Sequence, residues 1–385
     1  MLLLLLAAIQ SLLAGVLAIR LSGGRTRRPP ERPLAEGLAG PGLTMVVATL
    51  NEAKRIAPCL RGLEAQGTPV REILVVDSGS TDGTRELVEA AARRDPRIRL
   101  LTDPPLPEGW IGKAWALQHG TDSATQPWVL GMDADTAAVP GCAAAALAAA
   151  QREGFDVVSF APRFAGQSTA ERWVQPALLV TLIYRSGAVG DPRVRPERVI
   201  ANGQCFLVRK EVLLAHGGYA AVKDSFAEDV SLVRHLAGRG VPVGFLDGSR
   251  LYTVRSYSNA RQMWREWGRS LDLKDATAKG RQFFDTLFVV SAQGVQWPLA
   301  LGLYLSWDSI PASTARSVLA VSTGVLLGIR WLLLFGIAPS YARRGVAWWL
   351  SPLADPLAAV RLVVSSLRRP TRWRSRTYAG VPGGG

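Results

Sequence analysis

Strands alternating with helices between residues 43 and 251 predict an α/β protein with a mostly parallel sheet, helices on both faces, and transmembrane helices flanking it. Three observations carry this expectation. Apolar, β-branched runs recur at intervals that leave room for one helix each, which implies βαβ units. Short acidic motifs follow those runs directly, at the strand ends where such sheets bind ligands. The apolar excess behind a mean hydropathy of +0.13 collects at the two ends of the chain.

Met1 to Ile19 is an almost unbroken apolar run with no Lys or Arg before it. A secretory signal carries its charge in front, so residues 1–21 are expected to be an anchor, with a cleaved signal as the alternative. The N-terminus would lie outside and the basic stretch Arg25 to Arg32 in the cytosol. Residues 22–42, rich in Pro, Gly and Arg, read as a basic linker. The α/β domain, residues 43–255, then unfolds in order. Strands are expected at Leu43 to Thr49, Glu72 to Asp77, Ile98 to Thr102, Pro127 to Met132 and Asp156 to Pro162. Helices are expected around Lys54 to Gln66, Thr84 to Arg94, Gly112 to Ala124 and Cys142 to Arg152.

Residues 256–281 read as an interfacial helix region and 282–366 as membrane segments. Phe283 to Ser306 and Ser317 to Ala338 are long enough to cross, with Asp285 and Arg330 as polar exceptions. The turn Trp307 to Ala315 is almost free of basic residues, whereas Ser340 to Gly345 carries Arg343 and Arg344, which fits an outside and an inside turn. Val346 to Ser366 is broken by Pro352 and Pro356 and carries Asp355 and Arg361, so a re-entrant or interfacial segment is expected. Residues 367–385 form a basic tail on the cytosolic side.

Net charge is +14, from 45 Lys and Arg against 31 Asp and Glu. Much of the excess borders apolar segments, which suits an anionic leaflet and not nucleic acid. Cys59, Cys142 and Cys205, and His119, His216 and His235, lack metal-ligand spacing and read as packing residues without a disulfide framework.

The chemistry-bearing motifs sit at strand ends. In Gly131-Met132-Asp133-Ala134-Asp135-Thr136 the two aspartates are two apart, so an extended backbone points both the same way. Together they could share a hard cation, Mg²⁺ or Mn²⁺; a solvated turn is the alternative. Val75-Val76-Asp77-Ser78-Gly79-Ser80-Thr81-Asp82-Gly83-Thr84 is strand, tight turn and helix start, with Asp77 placed to accept hydrogen bonds from a base or ribose, or to cap the helix. Lys113, in Gly109-Trp110-Ile111-Gly112-Lys113-Ala114, could meet a diphosphate as a point charge or lie solvated in a first helical turn.

Val46-Val47-Ala48-Thr49-Leu50-Asn51-Glu52, Asp77 to Thr84 and Asp133-Ala134-Asp135 resemble the nucleotide-sugar half of family-2 glycosyltransferases of the GT-A fold. The resemblance extends to Phe226-Ala227-Glu228-Asp229, similar to an acceptor-side Glu-Asp motif, and to Gln262-Met263-Trp264-Arg265-Glu266-Trp267, a near match to Gln-x-x-Arg-Trp. Asn202-Gly203-Gln204-Cys205 resembles the family's Asn-Gly strand near the acceptor. The resemblance implies an inverting enzyme in which Glu52 and Asp77 hold base and ribose, Asp133 the ribose or the metal, and Asp135 the metal. It implies Asp229 as catalytic base beside Glu228, with Gln262, Arg265 and Trp267 closing over diphosphate and sugar. Glu228 and Asp229 also suit a helix start on dipole grounds alone, and Trp264 and Trp267 an interfacial helix.

The Gly-Trp-x-Gly-Lys motif, the few C-terminal segments and Trp373-Arg374-Ser375-Arg376-Thr377-Tyr378 resemble the branch linked to carotenoid and hopanoid pathways, although Ser375 stands where that branch usually has Gly. The implied partners are a nucleotide-diphosphate sugar, a lipid or isoprenoid acceptor such as a carotenoid, and the cell membrane, with the catalytic domain facing the cytosol. The apolar run Trp173 to Tyr184 reads either as core or as a membrane-lying guide for a lipid hydroxyl. The rival readings are a processive polysaccharide synthase, which needs more membrane helices and an intact Gln-x-x-Arg-Trp, and a silent membrane scaffold of the same fold.

Overall fold

The computed structural model describes residues 1–34, 40–192, 195–255, 257, 259–367, 372–373 and 376–377. The chain falls into two compact units. Arg28–Ala165 with Arg195–Ser256 makes the α/β unit, and Met1–Arg27, Gly166–Val194 and Tyr257–Arg369 make a helical one.

The α/β unit contains β1 (Leu43–Thr49), β2 (Val70–Asp77), β3 (Ile98–Thr102), β4 (Trp128–Asp133), β5 (Thr136–Ala138), β6 (Val157–Ala161), β7 (Arg163–Phe164), β8 (Cys205–Arg209), β9 (Val243–Asp247) and β10 (Tyr252–Val254). Seven of them form one sheet in the order β3-β2-β1-β4-β8-β6-β9, and β5-β10-β7 form a small second sheet. Neighbours in the large sheet are parallel except at β8, which runs antiparallel to β4 and β6.

Alternation along β1 shows why its sequence is apolar on both sides. Met45 and Val47 enter a core with Ile56, Leu60, Val88 and Ala146. Val46 points the other way, against helix Gly112–Ser123. There a Cβ on Gly120 would stand 2.5 Å from Val46 Cγ1, so only glycine lets this helix lie so close. The expected helices on both faces are therefore present.

Register then places the polar strand ends. Thr49 pairs with Asp77 and Ala48 with Asp133, so β1, β2 and β4 end level with one another. Because β8 is reversed, Cys205 lies opposite Met132 and the preceding Asn202 and Gly203 arrive at that same edge. Part of the expected linker belongs to this unit. Arg28 pairs with Glu153 and Glu31 with Arg152, each at 2.6 Å, and the Glu31 N–H donates to the Asp247 carbonyl.

In the helical unit, Leu2–Arg25 and Thr314–Ser340 are long and apolar enough to cross a membrane. The expected crossing from Phe283 to Ser306 falls on a pair of helices, Lys279–Gly294 and Gln296–Leu305, bent by 42°. The bend follows a π-turn over Val290–Gly294 that brings buried Gln293 to the Ala177 carbonyl and the Asp355 carboxylate, both at 2.9 Å. Val346 to Ser366 resolves into short pieces ending in helix Asp355–Leu367, whose 13 residues rise about 20 Å, short of a bilayer's apolar core.

Both polar exceptions in the apolar runs have partners. Asp285 pairs with Arg20 at 3.6 Å, and Arg330 meets both Asp355 oxygens at 3.0 and 2.9 Å, with Arg330 and Asp355 each only 2% exposed. The run Trp173 to Tyr184 lies in helix Thr169–Ser186, which buries Val174, Leu178, Val180 and Ile183 as core of this unit. Gly166–Val194 thus leaves the span expected for the α/β domain. Of the expected tail and the closing motif, only Arg372–Trp373, paired with Arg376–Thr377, lies within the described residues.

Removing one partner of a buried ion pair leaves an uncompensated charge, at a cost of about 3–5 kcal/mol, whereas an apolar replacement of both is close to neutral. Arg330→Met should therefore lower the unfolding midpoint in detergent sharply, and adding Asp355→Leu should recover most of the loss. An additive double variant would refute the pairing.

Candidate active site

The two loops leaving β1 and β2 are laced together. Asn51 takes a left-handed backbone (φ 55°), its N–H donates to Ser80 Oγ at 2.8 Å, and its side-chain oxygen accepts from the Thr81 N–H at 2.9 Å. The Glu52 N–H donates to Thr84 Oγ1 at 2.8 Å and the Ala53 N–H to Asp82 Oδ2 at 3.1 Å. The Ser, Thr and Asp residues of the second loop thus hold the first in shape.

Asp77 is fully buried at the β2 tip. It accepts from the Thr49 hydroxyl, from the N–H groups of Gly79 and Ser80, from the Ser80 hydroxyl and from Arg85 Nη1. Its carboxylate anchors the loop from Ser78 to Gly83. Glu52, in the loop leaving the neighbouring strand β1, is also buried, with Oε2 2.9 Å from Arg55 Nη2. Neither arginine partner stood out in the sequence, since each sits in an ordinary helical stretch.

Asp133 closes β4, and Asp135 lies in the turn to β5. Thr136 Oγ1 donates to the Asp133 carbonyl at 2.7 Å and the Arg255 N–H to the Asp135 carbonyl at 3.1 Å, which fixes that turn. The Cys59 thiol lies beneath, 3.7 Å from the Asp133 carbonyl. Burial, with the nearby charges of Asp135, Asp133 and Glu52, pushes it up to about 12. Three carboxylates therefore share one neighbourhood around a neutral thiol.

Among the described residues, no three His, Cys, Asp or Glu side chains form a metal cluster. The protein offers hard aspartate oxygens, and phosphate or water would complete the shell. That donor set fits Mg²⁺ or Mn²⁺, which take one or two carboxylates plus substrate phosphates.

Lys113 occupies the middle of the site. Its Nζ is 2.9 Å from Asp133 Oδ1 and 2.8 Å from Glu228 Oε1, and its side chain is 15% exposed. Glu228 and Asp229 open helix Glu228–Ala237. Asp229 Oδ2 accepts from the Gly203 N–H at 2.7 Å and Oδ1 from the Val230 N–H at 2.8 Å. Burial and the neighbouring Glu228 raise its pKa to about 7, against the opposing pull of Lys113 and the two N–H groups. A Cβ on Gly203 would stand 3.0 Å from Lys113 Nζ, so the backbone lies close against the ammonium.

Asp133, Lys113, Glu228 and Asp229 are thus brought together around Gly203. Gln262, Arg265 and Trp267 lie on helix Ala260–Asp272 of the helical unit. On that helix Gln262 Nε2 donates to Glu266 Oε1 at 3.0 Å, Arg265 is largely exposed, and buried Trp267 stacks on Tyr257 with ring centroids 6.1 Å apart. The intervening Glu266 is therefore a partner of Gln262, one helical turn away.

A family model described as Glycosyl transferase family 2 matches residues 44–217. A lipopolysaccharide core biosynthesis glycosyltransferase, LpsC, of Rhizobium meliloti is 36% identical over 24% of this chain and 31% of its own length. The succinoglycan biosynthesis protein ExoA of the same organism is 27% identical over 58% of this chain and 66% of its own. The chain thus spans 31% and 66% of the length of these two relatives. Among solved structures, a mannosyltransferase from Pyrobaculum calidifontis, PcManGT, in complex with GDP-Man and Mn²⁺, aligns over 95% of this chain and 99% of its own at TM-score 0.57 and 18% identity. That likeness shows the fold.

The raised Asp229 pKa means that the folded protein holds this proton more tightly than the unfolded chain does. Stability from this group is full at acid pH and is lost as pH rises toward about 7. Asp229→Asn should accordingly gain on wild type from pH 4.5 to 7 in thermal unfolding and hold that advantage above 7. A difference independent of pH would contradict the raised value.

Proposed function

We propose that the protein, whose residues 44–217 match the Glycosyl transferase family 2 model, moves a sugar from a nucleotide-diphosphate donor to a hydroxyl of a lipid or isoprenoid acceptor at the cell membrane. The observation that carries this reading is the shared sheet edge: Asp133 ends one strand with Asp135 in the turn after it, a reversed strand brings Gly203 to the same edge, and Asp229 at the start of helix Glu228–Ala237 accepts from the Gly203 N–H.

Asp133 and Asp135 would hold the divalent cation, which supplies Lewis-acid stabilisation of the departing diphosphate. Glu52 and the loop anchored by Asp77 shape the surface for base and ribose. Asp229 takes the proton of the attacking hydroxyl, and its pKa of about 7 matches a general base at neutral pH. A single attack from that side inverts the anomeric carbon.

Membrane association is supported by two helices long and apolar enough to cross and by a third, bent pair. Arginines after the first apolar helix and between the later segments favour a cytosolic catalytic unit. An anchored catalytic unit suits an acceptor that itself resides in the bilayer, a carotenoid alcohol among the candidates.

Purified wild-type protein in detergent should release nucleotide from a UDP- or GDP-sugar in the presence of Mn²⁺ or Mg²⁺, and Asp135→Ala should not; equal background release by both would refute the enzyme. Asp229→Asn should still bind donor while losing about 10²–10⁴-fold in turnover, and the wild-type rate should climb with pH to a plateau above about 7. Lipid extracts of cells with and without the gene, compared by mass, should differ by a sugar-bearing species. Identical extracts would remove the lipid acceptor.

A further inference from the structure

We infer that Lys113 is a positioning residue that ties the donor-side Asp133 to the acceptor-side Glu228, and not a ligand of the donor diphosphate. The inference rests on the glycosyltransferase reading above and deepens it.

The ammonium is already engaged on two sides, 2.9 Å from Asp133 Oδ1 and 2.8 Å from Glu228 Oε1. Its two partners belong to different elements, the end of β4 and the start of helix Glu228–Ala237. Asp229 adds a third negative charge nearby. A methyl group on Gly203 would stand 3.0 Å from Nζ, so the backbone packs close on that side. Two of the three ammonium donors are taken, and releasing Glu228, whose side chain is only 7% exposed, to turn the ammonium toward a phosphate would strip a buried carboxylate of its cation, which is strongly disfavoured.

In place, the ammonium does two things. It offsets the mutual repulsion of Asp133, Glu228 and Asp229, so that the base can sit beside the donor carboxylates. It also competes with a cation for Asp133, which keeps that aspartate's grip on metal moderate. A phosphate ligand would do neither.

The two roles separate in experiment. Full-length Lys113→Met, Lys113→Arg and Glu228→Gln would be purified in detergent. Mn²⁺ affinity without donor would be read from the free-ion paramagnetic resonance signal, and KM and kcat from hydrolysis of whichever of UDP-glucose or GDP-mannose the wild type uses. Lys113→Met should bind Mn²⁺ about tenfold more tightly, because a unit positive charge beside Asp133 is gone. Its donor KM should stay within about twofold while kcat falls at least about 100-fold. Lys113→Arg should restore part of kcat. Glu228→Gln, which leaves Lys113 to Asp133 alone, should shift Mn²⁺ affinity the opposite way, and it serves as the test should Lys113→Met not fold. A rise of tenfold or more in donor KM with unchanged Mn²⁺ affinity would overturn the inference and make Lys113 a phosphate ligand. A wild type that neither binds Mn²⁺ nor hydrolyses either donor would instead sink the glycosyltransferase reading itself.

Discussion

Carboxylates of like charge repel, and the end of this sheet collects them. Asp133, Glu228 and Asp229 gather around a single ammonium, with Asp135 and Glu52 close enough to Asp133 to act on the same thiol. Such crowding is tolerable only where the backbone imposes it and where cations or N–H groups answer it. The level ends of β1, β2 and β4 impose it; Lys113, Gly203 and the helix start at Glu228 answer it. A site of this kind is poised to gain from a divalent cation, since the cation relieves a repulsion already present.

The division of labour between loop and site is sharper than the motifs suggest. Ser80, Asp82 and Thr84 accept from backbone N–H groups of the neighbouring loop, and Asp77 accepts from N–H groups of its own. Their chemistry is architectural.

The α/β half was legible because its signals are local. Strands such as Leu43–Thr49 and Ile98–Thr102, and the helix Thr84–Arg94, announce themselves through β-branched runs and helix periodicity, and their bounds agree with expectation residue for residue. The Asp133, Asp135 and Asp229 motifs were legible for the same reason. Lys113 stood out only as a candidate point charge, because its two carboxylate partners lie 20 and 115 positions away, and a lysine in a first helical turn looks the same whether it meets water or two carboxylates. The reversal of β8 escaped notice because direction leaves no mark on a run such as Cys205–Arg209; only pairing reveals it. The bend at Val290–Gly294 was equally hidden, being set by what Gln293 reaches across the helical unit and not by a proline.

The buried pair in the helical unit also has a consequence for how the chain is made. Arg330 precedes its carboxylate by 25 residues, so during synthesis the cation emerges first, within a helix long and apolar enough to cross a membrane. On the proposed membrane reading, that helix carries an unmatched charge into hydrocarbon, at a cost of about 2.5–3.5 kcal/mol, until helix Asp355–Leu367 supplies the counterpart. Insertion of the one and docking of the other are therefore energetically coupled.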